Sequence, residues 1–229
     1  MIMIAMLLPN LTKSRESARR VQCIANLRQI HIGVTNYAVS NHGVYLKCRF
    51  RQVQIAFNLK RPGWLDGDTD WIEQLKLYGI DPEGSVWSCP SRDYKGQVEP
   101  WYHQMVVGYQ YFGGIETWRN PWGVYESRSP ISISQAEPRW AMAADTACKI
   151  DGAWGGGRAT AYQGMPSHAS SHPWPDGAHN LYVDGSVEWV EFKKLIYIHS
   201  WSGSFRRMCY WYQEDLGGFD PPLEAYAEP

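Results

Sequence analysis

The 229-residue chain balances 22 Lys and Arg against 23 Asp and Glu, for a formal net charge of -1. That near-neutrality argues against a dedicated nucleic-acid binder, which is ordinarily basic. The length suffices to bury a core as one domain or one domain with an appendage, and no run reaches the ~20 apolar residues needed to span a bilayer.

The chain opens with the short apolar run Met1–Leu8, meets Pro9, and continues as an amphipathic pattern. A helix is expected from about Ile2 to Asn41, with Pro9 as a kink or break. Cys23, Leu27, Ile30, Val34 and Tyr37 recur at alternating steps of four and three, which marks one face as core-packing. Ser40-Asn41-His42-Gly43 ends the helix, with Gly43 as a left-handed cap. About forty helical residues span ~60 Å, more than a small head, so part of the helix must protrude or find partners. Residues 1–43 therefore read as a helical spine, with 1–22 protruding, and 44–229 as a globular β-rich head. Lys13, Arg15, Arg19 and Arg20 form a basic collar just beyond the apolar tip. It suits anionic lipid headgroups, and it equally suits a solvated helix face with Glu16 and Arg20 as an i,i+4 pair.

Past the helix the chain is loop-rich. Val53–Leu59 alternates as a strand, and Asp70-Trp71-Ile72-Glu73 is a capping box opening a short helix through Tyr78. Asp66, Asp68 and Asp70 share the first spacings of a calcium loop. Trp71 stands where that loop needs glycine and Leu77 where it needs a carboxylate, so a polar turn is expected and calcium is the alternative. In Val86-Trp87-Ser88-Cys89-Pro90-Ser91 the proline forces Cys89 into an extended conformation.

The five cysteines, Cys23, Cys48, Cys89, Cys148 and Cys209, include no CxxC pair, which argues against a zinc ribbon. Outside the cytoplasm they allow one or two disulfides and leave at least one thiol; Cys23, on the apolar stripe, reads as a buried reduced thiol. The twelve tryptophans are scattered without a repeat and read as an aromatic core, with a glycan-stacking platform as the alternative.

Asp184-Gly185 lies between two β-rich runs, Ala178–Val183 and Ser186–Val190. This is a strong hairpin signal and predicts a type I′ turn, with Tyr182 opposite Val187 and Asn180 opposite Trp189. His168, His172, His179 and Asp184 cluster in sequence and are the candidate ligands for a zinc-like ion. Pro166, Pro173 and Pro175 argue against the helix that would align His168 with His172. The plainer reading is a polar loop whose His172 hydrogen-bonds the hairpin, and no cofactor is expected. No Gly-x-Ser-x-Gly, phosphate loop or HExxH is present, so catalysis is not expected.

Met6-Leu7-Leu8-Pro9, the collar and Cys23-Ile24-Ala25-Asn26-Leu27-Arg28-Gln29-Ile30 resemble the N-terminal segment of type IV pilin-like proteins. More narrowly, they resemble the pseudopilin-like proteins of planctomycete- and verrucomicrobia-type bacteria that carry a prepilin-type cleavage/methylation segment. Trp87-Ser88-Cys89-Pro90, Val107-Gly108-Tyr109-Gln110-Tyr111 and Pro138–Asp145 follow in the family's order. The family's C-terminal signature is matched by His172, Asn180, Asp184 and Gly185. The leader, its cleavage site and the first half of the apolar segment are not in this sequence, and Met1 falls inside the family's hydrophobic helix. The chain is therefore expected to be truncated at its N-terminus and by itself soluble. The resemblance implies an α+β fold, a long N-terminal helix packed on an antiparallel β-sheet head. It implies a structural subunit of a pilus-like filament or type II secretion-type pseudopilus. Met6, Leu7, Leu8, Pro9 and Leu11 would form the assembly helix, with further copies and other pilin-like subunits as partners. The protein would be anchored in the inner membrane before assembly and belong to the cell envelope or extracellular surface. An extracellular glycan-binding module and a metal-dependent hydrolase are the alternatives.

Overall fold

The computed structural model describes residues 2–51, 55–58, 76, 78, 85–92, 96–156 and 166–229. Asp66, Asp68, Asp70 and Glu73, expected to form a polar turn and capping box, lie outside the described residues.

The long N-terminal helix, α1, runs from Ile2 to Ser40. It continues through Pro9 without the break its sequence suggests, although proline leaves one backbone hydrogen bond unmade. The side chains of Met6, Leu7, Leu8 and Pro9 lie outside the described residues. Its end is set locally: Gly43, at φ 77°, donates its N–H to the Ala38 carbonyl at 2.8 Å, a left-handed cap that needs no Cβ.

The strands in chain order are β1 (Ala56–Asn58), β2 (Gln97–Glu99), β3 (Gln104–Val106), β4 (Tyr109–Tyr111), β5 (Thr117–Asn120), β6 (Gly123–Glu126) and β7 (Ala141–Asp145). They continue as β8 (Cys148–Ile150), β9 (Ala153–Trp154), β10 (Gly177–Tyr182), β11 (Val187–Glu191), β12 (Ile196–Ser200) and β13 (Arg207–Trp211). All recorded pairings are antiparallel. The molecule is an α+β fold with its helix packed on sheets.

The sheet of order β11-β10-β7-β4 carries α1 on one face. Cys23, Leu27, Ile30 and Val34 are fully buried there, and Tyr37 nearly so. A second sheet, β12-β13-β8-β9, is tied to the first by side chains. The Gln110 Nε2 of β4 donates to the Tyr210 carbonyl of β13 at 2.9 Å, and Asn180 of β10 donates to the Tyr212 carbonyl. Ala178, Val190, Phe192, Tyr197 and Tyr210 share a smaller apolar cluster. Much of the tryptophan load goes inside: Trp87, Trp118 and Trp211 are fully buried, with Phe112 stacked 4.5 Å from Trp211. No disulfide joins the five cysteines, all of which are buried.

Two expectations need correction. Helix–head contact starts earlier than the expected boundary at residue 22, because Glu16 and Arg20 already sit on the head. The hairpin exists, but its register is one residue off, pairing Leu181 with Val187 and His179 with Trp189. The turn is not type I′. Only Gly185 has positive φ (82°); its N–H donates to the Tyr182 carbonyl, and Tyr182 N–H donates to Ser186. This is a type I turn closed by a left-handed glycine, which lengthens the loop and slips the pairing. Leu181 and Val187 consequently join the cluster under α1, while Ala178 and Val190 join the second cluster.

Candidate functional site

Beneath the middle of α1, four chain segments converge on one buried point. Cys23 comes from the helix stripe, Cys89 from the extended Cys-Pro segment, Asp145 from the end of β7 and His168 from the loop before β10. One ligand-capable atom of each lies within 4.8 Å of the others, and all four residues are buried.

The Cys89 loop is held close by a missing side chain. Gly108 N–H donates to the Trp87 carbonyl, and a Cβ on Gly108 would meet that oxygen at 2.8 Å and the Cys89 nitrogen at 2.9 Å. Glycine is thus required by close approach. Asn26 of α1 fastens the same loop, donating to the Ser88 carbonyl at 3.3 Å and the Tyr109 hydroxyl at 3.2 Å. Arg92 N–H completes the turn onto the Cys89 carbonyl.

The contacts inside the cluster are short. Cys23 Sγ lies 3.1 Å from Cys89 Sγ, and Cys89 Sγ lies 3.9 Å from His168 Nε2. His168 Nε2 is 3.1 Å from Asp145 Oδ2. The other ring nitrogen, Nδ1, faces Glu16 Oε1 at 2.6 Å and Ser91 Oγ at 2.8 Å. His168 stands at φ 55°, an unusual conformation for a residue with a Cβ, and one that clusters at ligand clamps and active sites. Asp145 Oδ2 also receives the His179 backbone N–H at 2.8 Å and faces His179 Nδ1 at 2.6 Å. The other carboxylate oxygen, Oδ1, is buried with no hydrogen-bond partner among the described residues. Trp189 covers the two imidazoles, and Arg20 lies 3.8 Å over its ring, with a carboxylate of Asp176 3.7 Å away.

The electrostatics follow from burial and mutual charge. Burial disfavours ionised Asp145, but the two imidazoles, His168 foremost, outweigh it and hold the carboxyl well below its usual range. Burial also opposes the His168 imidazolium, yet the facing Asp145 raises it to about 11. Cys89 is brought down to about 6 against the opposing effect of burial, by hydrogen bonds from Cys23 and His168. Cys23 is pushed up, first by its hydrogen bond to Cys89 and then by burial, so the two thiols share one readily lost proton.

The candidate ligands His168, His172, His179 and Asp184 do not form one site. His168 and His179 converge on Asp145. His172 stacks on Trp174 with ring centroids 4.4 Å apart and faces Asp176. Asp184 caps the hairpin turn by accepting from Ser186, and Gly185 packs against the His31 ring. Asn180 is buried against Tyr212, joining the two sheets rather than the cluster. Sequence reasoning missed Cys89, Asp145 and Glu16, and it read Cys23 as core alone. The signal in the sequence is the Cys-Pro segment and the strand ending in Asp145, and neither carries a spacing that links it to the other.

Residues 12–103 match a family described as a protein of unknown function (DUF1559). The matched stretch holds Glu16, Cys23 and Cys89 and stops short of Asp145, His168 and the hairpin. No curated protein matches the chain. No solved structure matches it either.

Proposed function

We propose that this chain is a structural subunit of a type IV pilus-like filament or type II secretion-type pseudopilus, assembled through its N-terminal helix. It would act in the cell envelope without catalysis of its own. The observation that carries this reading is the outward face of α1. Leu11, Ala18, Ala25, Ile32 and Val39 recur every seven residues and are exposed, with Val21 beside them. Leu11, Val21, Ile32 and Val39 are 53%, 66%, 58% and 68% exposed. This seam lies opposite the head-packed stripe. A helix that has already buried one apolar face on its own head, and repeats another in heptads on the far side, is suited to packing on neighbouring helices.

The N-terminal part supports the same reading. The 39-residue helix is about 58 Å long, and among the described residues its head contacts begin at Glu16. A helical array of identical subunits would cover what protrudes. No helix among the described residues is long and apolar enough to cross a membrane, so insertion before assembly belongs to the proposal.

Sedimentation and negative-stain microscopy of the full chain test it. Concentration-dependent assemblies are expected, and Ile32→Glu with Val39→Glu should yield monomers with unchanged circular dichroism. A wild-type chain that stays monomeric at high concentration, or a double variant that still assembles, contradicts the proposal.

A further inference from the structure

We propose that Cys23, Cys89, Asp145 and His168 bind one thiophilic divalent cation of the zinc type, which clasps the helix to the head. This inference does not depend on the filament reading.

The donor set selects the ion. Two thiols and an imidazole favour zinc over calcium or magnesium, which take oxygen ligands. The spacing suits it as well. A tetrahedral site with metal–sulfur distances of ~2.3 Å and metal–nitrogen or –oxygen distances of ~2.0–2.1 Å has ligand–ligand edges of ~3.3–3.8 Å. Three of the six edges here are 3.1 Å between sulfurs, 3.9 Å from Cys89 to His168 and 3.1 Å from His168 to Asp145, and all six lie within 4.8 Å. Closing on an ion would move the two sulfurs apart from 3.1 Å toward the ~3.8 Å edge.

The surrounding groups are those a metal site needs. A ligating histidine ordinarily donates its second N–H to a carboxylate, and His168 Nδ1 faces Glu16 at 2.6 Å while Nε2 points into the cluster. A ligating carboxylate is itself oriented by hydrogen bonds, and His179 holds Asp145 through its backbone N–H and its ring. Asp145 Oδ1, buried without a partner among the described residues, is an independent sign. An orphaned, fully buried carboxylate oxygen is costly unless a cation or donor meets it.

All four ligands come from the protein and the cluster is buried, which is the character of a structural site rather than one left open for a substrate. Binding replaces the protons of the thiols and of His168 Nε2 with the ion, and those protons leave to solvent.

The test uses the full chain, purified reduced, supplied with zinc and exchanged into metal-free buffer. Native mass spectrometry should find one zinc per chain. Cys23 and Cys89 should resist alkylation until a chelator is added. Cobalt(II) in place of zinc should give the thiolate charge-transfer and ligand-field bands of a tetrahedral site. Glu16→Gln keeps all four ligands, so the fold survives, and it should weaken zinc affinity 10–100-fold. Cys148→Ala should leave affinity unchanged. A wild-type chain that binds no zinc, or one whose zinc-supplied form carries a Cys23–Cys89 disulfide in peptide mapping, overturns the proposal.

Discussion

Two pairs of buried thiols face one another in this molecule. Cys23 and Cys89 are 3.1 Å apart, and Cys148 and Cys209 are 3.5 Å apart. The second pair sits directly across neighbouring strands β8 and β13. Cys148 Sγ lies 3.9 Å from Gln110 Oε1, and burial raises the Cys209 thiol well above its ordinary range. These two sulfurs behave as small apolar fillers between sheets. The first pair has an imidazole and a carboxylate beside it, and against burial the hydrogen bonds from Cys23 and His168 bring Cys89 down to about 6. Burial and sulfur proximity are common to both pairs. Companion ligands from other segments distinguish the one that can hold a cation.

That contrast is sharpest at Asp145. Replacing it with alanine strands two imidazoles and a backbone N–H, so Asp145→Ala should cost about 3–5 kcal/mol in urea denaturation and abolish zinc binding. Gly108→Ala comes next. Its new Cβ must displace the Trp87–Cys89 backbone, which should cost about 1–3 kcal/mol and weaken zinc binding by moving Cys89. At the second pair, Cys209→Ala should cost about 1 kcal/mol as an ordinary core truncation, with full zinc content. An equal loss of metal there would erase the distinction between the pairs. His172→Ala should move stability by less than about 0.5 kcal/mol and leave zinc untouched, because this histidine stacks on Trp174 outside the cluster.

The sequence was informative where a signal is local. Steps of four and three marked Cys23 to Tyr37 as one helix face, and those residues are buried. Asp184-Gly185 signalled a hairpin, and one lies there, but the dipeptide serves two loop types. The register therefore differs by one residue, and Trp189 lies opposite His179 rather than Asn180. The cluster was hardly legible, for a physical reason. Its ligands sit on a helix, a loop, a strand end and a second loop, far apart in sequence, with no spacing that local geometry imposes. Cys23 met the apolar pattern so well that its second role was hidden. His172 lies outside the cluster, while His168, at left-handed φ, has its side chain buried inside it. A left-handed glycine such as Gly43 is signalled by its residue type, whereas a left-handed histidine is not.

In the proposed clasp, helix and head are joined through a cation held by two sulfurs. X-ray absorption at the zinc edge of the zinc-loaded full chain tests it most directly. Two sulfur neighbours at ~2.3 Å and two nitrogen or oxygen neighbours at ~2.0–2.1 Å are expected. A shell of nitrogen and oxygen alone, with no sulfur, would contradict it.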